Sequence, residues 1–208
     1  MSIGPSTPPR RRRRSPEEAR REALVTARAL LLSGGPGAVT LSAVAGEIGV
    51  THANLIHHFG SAAGLQSALM GSMVSDLAQA LDTAVVRLRT DEGAPMEVVN
   101  AVFDAFSEGG AGRLAAWIAL SGDLSRLEPV RAAVLDLVEA IRDKLGDPDG
   151  QARDRISSAV LFIALSAFGE ALIGPPLRDM LDRPEDASRK VVAGLLPHFL
   201  IQPPKPAE

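Results

Sequence analysis

The chain has no cysteine and no tyrosine, one tryptophan and six phenylalanines among its 208 residues. Without cysteine, neither disulfides nor thiol chemistry can operate, which is compatible with a reducing cytoplasm, the expected location. The uncharged run from Ile156 to Gly169 stops at Glu170 and falls short of the roughly 20 residues that span a bilayer. A soluble protein with no membrane partner is expected. No glycine-rich phosphate loop follows a strand, and outside the first 60 residues no histidine accompanies paired carboxylates, so no enzyme and no cofactor are expected. Adjacent His57 and His58 cannot share one helix face, and no metal set is expected.

Strand-like alternation is also missing, and apolar residues recur at helical spacing instead. The chain reads as all-α, with helices over 16–33, 41–48, 52–58, 62–89, 95–108, 110–122, 127–146, 150–173 and 184–200. Breakers separate them, among them Gly34-Gly35-Pro36-Gly37, Gly109-Gly110 and Gly174-Pro175-Pro176. Pro197 is expected to bend or end the last helix.

Two short helices meet around a tight turn between Thr40 and Leu65. Thr40 is a good N-cap, and Leu41, Val44, Ala45 and Ile48 form an apolar stripe. Gly49 stands where a left-handed residue must reverse the chain. Val50 reads as a buried hinge, Thr51 caps the second helix, and Leu55 and Phe59 lie four apart on its inner face. His52, Ala53, Asn54, Ile56 and His57 are left facing outward. Such a face can enter a major groove and reach base edges and phosphates.

This window resembles the N-terminal domain of the TetR family of one-component transcriptional regulators. The helix opening at Pro16 resembles that family's first helix, VTHANLIHHF (50–59) its recognition helix, and 61–70 the start of its fourth. The resemblance implies a homodimer on a palindromic double-stranded operator, most simply a repressor released by a small-molecule effector. The chain departs from the family at two positions. An aromatic, most often Tyr, is usual where Ile56 stands, and a Lys is usual near Ala62; both typically meet the DNA backbone. A TetR-like ligand-binding or interaction protein that has lost specific operator binding is therefore the alternative.

Arg10, Arg11, Arg12, Arg13 and Arg14 form an unbroken run behind a Pro-rich segment, which reads as a disordered cationic arm able to lie along phosphates or in a minor groove. No apolar run follows it, so it is not a secretion signal. Residues 1–60 carry a formal charge of +4 and the remainder −7, which orients the molecule toward DNA head first. The expected organisation is an arm (1–15), a helix-turn-helix domain (16–60), a helical effector-binding and dimerisation domain (61–200) and a disordered tail (201–208). In the head, Thr40 and Thr51 are the candidates for phosphates, and His52, Asn54 and His57 for base edges. His58 reads as a packing or capping residue.

From Val160 to Leu172 the chain is apolar on nearly every side of a helix, and such a helix must be covered all round. A second subunit is the simplest cover. Ala164, Ala167 and Ala171, with Val192, Leu195 and Leu196 of the last helix, are the expected interface. The few large residues of the body, Met73, Leu77, Met96, Phe103, Phe106, Trp117, Leu120, Phe162 and Phe168, are candidates for a cavity wall, with Gln79, Asn100 or Ser121 as polar handles. The effector expected there is small, apolar and uncharged.

Overall fold

The computed structural model describes residues 15–121, 128–146 and 150–200; the arginine run and the segment 201–208 lie outside the described residues. Helices are α1 (Pro16–Gly34), α2 (Leu41–Ile48), α3 (His52–Phe59), α4 (Ala62–Arg87), α5 (Ala94–Phe106), α6 (Ala111–Leu120), α7 (Glu128–Leu145), α8 (Ala152–Met180) and α9 (Ala187–Leu200), with a short 3-10 turn at Pro36–Ala38. Among the described residues there is no strand. The all-α expectation holds.

Local chemistry sets the head. Ser15 and Glu18 form a reciprocal capping box at the start of α1, with Pro16 in its first turn. Ala19, Ala23, Ala27 and Leu31 form its buried stripe, and the alanines let neighbouring helices approach closely. Leu31, Val39, Val44, Leu55 and Leu65 are fully buried. This core does not stop at residue 60. It continues through Leu69, Met70 and Met73 of α4 and Leu114 and Ile118 of α6, so head and body share a packed seam.

In the body, α4 and α7 run side by side in the same direction: Gly71 abuts Pro129 near the head, and Lys144 pairs with Asp82 further away. α8 returns toward the head, where Ala171 meets Gly112 of α6. α9 then folds back along α8, with Ser188 beside Glu170 and Phe199 stacked on Phe162 at 5.1 Å.

Two expectations need correction here. Gly174-Pro175-Pro176 does not end α8, which runs on to Met180. Gly174 has no Cβ to clash with the Pro175 ring, so it keeps helical geometry where another residue would leave it. Pro175 and Pro176 sit on the exposed side, where carbonyls deprived of partners are not sealed from solvent. The resulting 29-residue helix, with a window of mean hydropathy 2.0, is long and apolar enough to cross a membrane by length and composition. Here one side of it packs on α5, α6, α7 and α9, and 22% of that window is buried. Pro184, expected in a first turn, precedes α9, and Pro197 is accommodated within it.

The second correction concerns the dimer residues. Ala167, Val192 and Leu196 are buried within the single chain, and Ala171 packs on α6. Ala164 and Leu196 line an internal cavity. Of the six, only Leu195 is among the exposed large apolar residues, with Leu161, Leu165, Leu172, Ile173 and Leu177 of α8 and Val191 of α9. The small residues of α8 serve the intramolecular contacts, because α5, α6 and α9 cross it on that face.

Candidate nucleic-acid interface and body cavity

The turn between α2 and α3 is built as its residues dictate. Gly49 takes φ 67° and ψ 38°, the left-handed region, and Val50 is half-buried against the head core, less enclosed than a buried hinge. Thr40 Oγ1 accepts from the Ala43 amide at 3.1 Å, and Thr51 Oγ1 from the Asn54 amide at 3.2 Å. Each threonine marks a helix N-terminus, where the helix dipole and spare amides favour an anion. Both are exposed.

Leu55 and Phe59 anchor α3 in the core, while Thr51, His52, Ala53, Asn54, Ile56 and His57 are exposed. The structure therefore brings Thr51, His52, Asn54 and His57 together on one open face, with Thr40 at the start of the supporting helix. Ile56 lies on that face, 45% exposed, and Ala62 is exposed at the start of α4. Arg10 to Arg14 lie outside the described residues; the chain emerges at Ser15, directly before α1.

Sequence reading missed how α3 is held from behind. Arg20 of α1 donates to the His58 carbonyl at 2.9 Å, and its guanidinium lies 4.6 Å from the Phe59 ring centroid. Gln66, buried in α4, donates to the Val39 carbonyl at 3.2 Å and fixes the lead into α2. A four-residue apolar-plus-aromatic spacing reveals Phe59, but the arginine that covers it comes from 39 positions upstream, and nothing in the sequence pairs the two.

Residues 23–69 match the model for bacterial regulatory proteins of the tetR family. Over those 47 residues the head is similar to the TetR family. No curated protein matches. Among solved structures, a tetR-family transcriptional regulator from Streptomyces coelicolor fits with a TM-score of 0.56 at 19% identity, over 88% of this chain and 79% of that one. A Shewanella sp. PV-4 structure assigned to the same family gives a TM-score of 0.46 at 19% identity, over 86% and 95%. The first of these likenesses extends the shared fold beyond the matched residues into the helical body.

That body holds a partly open cavity of about 320 Å³, lined among the described residues by α4, α5, α6, α7, α8 and α9. Of the expected wall residues, Leu77 and Phe106 line it. Met73 is buried in the head core, Phe103 lies under Arg189, and Phe162 stacks on Phe199. Trp117 is half-exposed near Gly37, and Leu120 is 87% exposed. Met96 and Phe168 are also off the wall. Large side chains fill the tightly packed layers; the cavity persists where valine, alanine and leucine leave room. The polar handles are elsewhere too. Asn100 accepts from Arg189, Ser121 donates to the Ile118 carbonyl, and Gln79 faces outward.

Proposed function

We propose that this chain is a homodimeric, DNA-binding transcriptional regulator, a repressor that holds a palindromic operator and is released by a small apolar effector in the cytoplasm. The observation that carries the reading is the open face of α3, where His52, Asn54 and His57 stand free of the core beside two capped helix N-termini. Thr40 and Thr51 then meet phosphates, the three polar side chains meet base edges, and Arg10 to Arg14 act as an auxiliary cationic arm. Neither catalysis nor a cofactor is part of this reading.

Release needs a mechanical link between body and head. Met70 and Ile118 supply it, since each lines the body cavity and also belongs to the head core. A ligand that pushes either residue acts on the packing that holds α3. Dimerisation through the open strip of α8 and α9 sets two recognition helices about 34–36 Å apart on one DNA face.

The test is a pull-down of genomic fragments with sequencing, run beside a variant with His52, Asn54 and His57 all replaced by Ala. A palindrome enriched only by the parent chain supports the operator reader. Equal or absent enrichment instead favours the alternative, a TetR-like ligand-binding or interaction protein without operator recognition, for which the apolar Ile56 and Ala62 on the DNA-facing side argue.

A further inference from the structure

We propose that DNA binding by α3 is coupled to proton uptake, with His52 and His57 supplying the positive charge of that face as imidazolium cations. The inference rests on the reading of α3 as the recognition helix, and it adds the proton as a regulating ligand of that site.

The distribution of charge leads to it. Between Arg28 and Arg87 the sequence has no lysine and no arginine, a stretch that holds all of α2 and α3 and all of α4 but its last residue. Its permanent charges are Glu47, Asp76 and Asp82, all negative, and its histidines are His52, His57 and His58. Residues 15–60 carry three arginines against four glutamates, so the described head is not cationic by itself. All three arginines stand on α1. Arg20 is committed to the His58 carbonyl and the Phe59 ring, Arg28 pairs with Asp76 at 2.9 Å, and Arg21 lies with Arg28 in the groove between α1 and α4. A duplex carries about one negative charge per 1.7 Å of its axis. On α3 itself, only histidine can answer that charge.

The groups around the two imidazoles are few. α2 contributes Glu47, which is exposed, and α4 has no charged residue before Asp76. α1 contributes Arg20, and α7 brings Glu128 to a shallow cleft that it shares with Arg20, His58 and Phe59. The His57 and His58 rings meet edge-on at 5.7 Å, but His58 is half-buried at that cleft and is assigned no DNA contact. His52 and His57 are exposed. A neutral imidazole offers one donor and one acceptor, whereas the imidazolium offers two donors and a charge. Phosphates and guanine edges present acceptors, and a neighbouring anion favours the charged form. Binding therefore takes up protons, and affinity rises as pH falls through the range in which histidine ordinarily titrates.

The test is fluorescence anisotropy of the full chain with a labelled duplex of random sequence, at several salt concentrations between about pH 5.5 and about pH 8. The expected affinity is at least about tenfold higher at about pH 6 than at about pH 8. The salt slope is steeper at the lower pH by about one to two contacts. His52→Gln with His57→Gln keeps polar side chains that cannot take up a proton, and should bind with one affinity and one slope throughout. His52→Arg with His57→Arg carries permanent charge, and should hold the tight, steep behaviour at every pH. His198→Gln, exposed on α9, should keep the parent profile, and circular dichroism at each pH checks that the helices persist. Parent binding that ignores pH, or a pH dependence that survives undiminished in the double Gln variant, would overturn the proton link and leave the operator reading standing. Failure to bind duplex at any pH would remove the DNA reading itself, and the link with it.

Discussion

Gly174 lies one helical turn beyond Glu170, and the space its missing side chain leaves is occupied by the Glu170 carboxylate on its way to Arg178. A Cβ at position 174 would stand 2.5 and 2.6 Å from the two carboxylate oxygens. Glu170 also accepts from Ser188 Oγ at 2.7 Å, and it and Arg178 are each only 16% exposed. The pair brackets Pro175 and Pro176, so it spans the stretch of α8 where two backbone hydrogen bonds are lost. Helix propensity alone favours Gly174→Ala by about 1 kcal/mol. In the parent chain the substitution should instead destabilise by about 1–2 kcal/mol, because the enclosed carboxylate must leave its partners. In a Glu170→Ala background the loss should shrink without vanishing, because a Cβ at 174 still meets the Pro175 ring. Urea denaturation of the four proteins measures this, and an equal loss in both backgrounds would refute the packing argument.

Arg20 joins α1 to the end of α3 through one hydrogen bond and one ring contact. Arg20→Ala should cost about 1–2 kcal/mol of stability. DNA affinity should fall for all sequences without a change in preference, since the side chain positions α3 from behind. Arg20→Lys keeps a charge but not the planar stack, and should recover at most about half of the loss. Denaturation and fluorescence anisotropy with operator and random duplexes read the two effects separately.

Thr51 has a cap and a candidate phosphate contact on the same oxygen. Thr51→Ser should therefore be nearly silent, whereas Thr51→Ala should lose about 1 kcal/mol of stability and reduce the salt dependence of DNA binding by about one contact. An unchanged salt slope with lowered stability would leave Thr51 as a cap only.

Ile56 and Ala62 offer a gain-of-function test. Ile56→Tyr combined with Ala62→Lys should strengthen binding to any duplex and steepen the salt slope by about one to two contacts. Both positions are exposed, so stability should stay within about 0.5 kcal/mol. An unaltered slope would show that this face of the head does not approach phosphates.

The open strip on α8 and α9 is testable without disturbing the core. Leu161 and Leu165 are each 61% exposed in the single chain, so Leu161→Glu with Leu165→Glu should leave helical content intact while halving the mass seen by light scattering. A parent chain that is already a monomer at micromolar concentration would remove the dimer proposal.

The helices of the head were legible because their signals are local. Thr40, Gly49 and Thr51 each act within a turn or two of themselves, and the left-handed glycine and both threonine caps stand where the pattern expects them. The exposed set on α3 follows from the same periodicity, since burying Leu55 and Phe59 leaves the intervening side chains outward. α1 and the bounds of most body helices were equally readable from caps, breakers and apolar spacing.

What tertiary structure decided was which face of an apolar helix meets which neighbour. Composition marked α8 as needing cover all round, but the crossing of α5, α6 and α9 assigned Ala167 and Ala171 to the interior and left Leu161 and Leu165 open. The same crossings located the cavity where small aliphatics meet, away from Trp117, Leu120 and Phe162. Packing between helices also joined Arg20 of α1 to Phe59 of α3, and Glu170 of α8 to Ser188 of α9. Caps, turns and periodicity are written in neighbouring residues. Contacts between distant helices depend on the register in which whole faces pack, and a single sequence does not print that register.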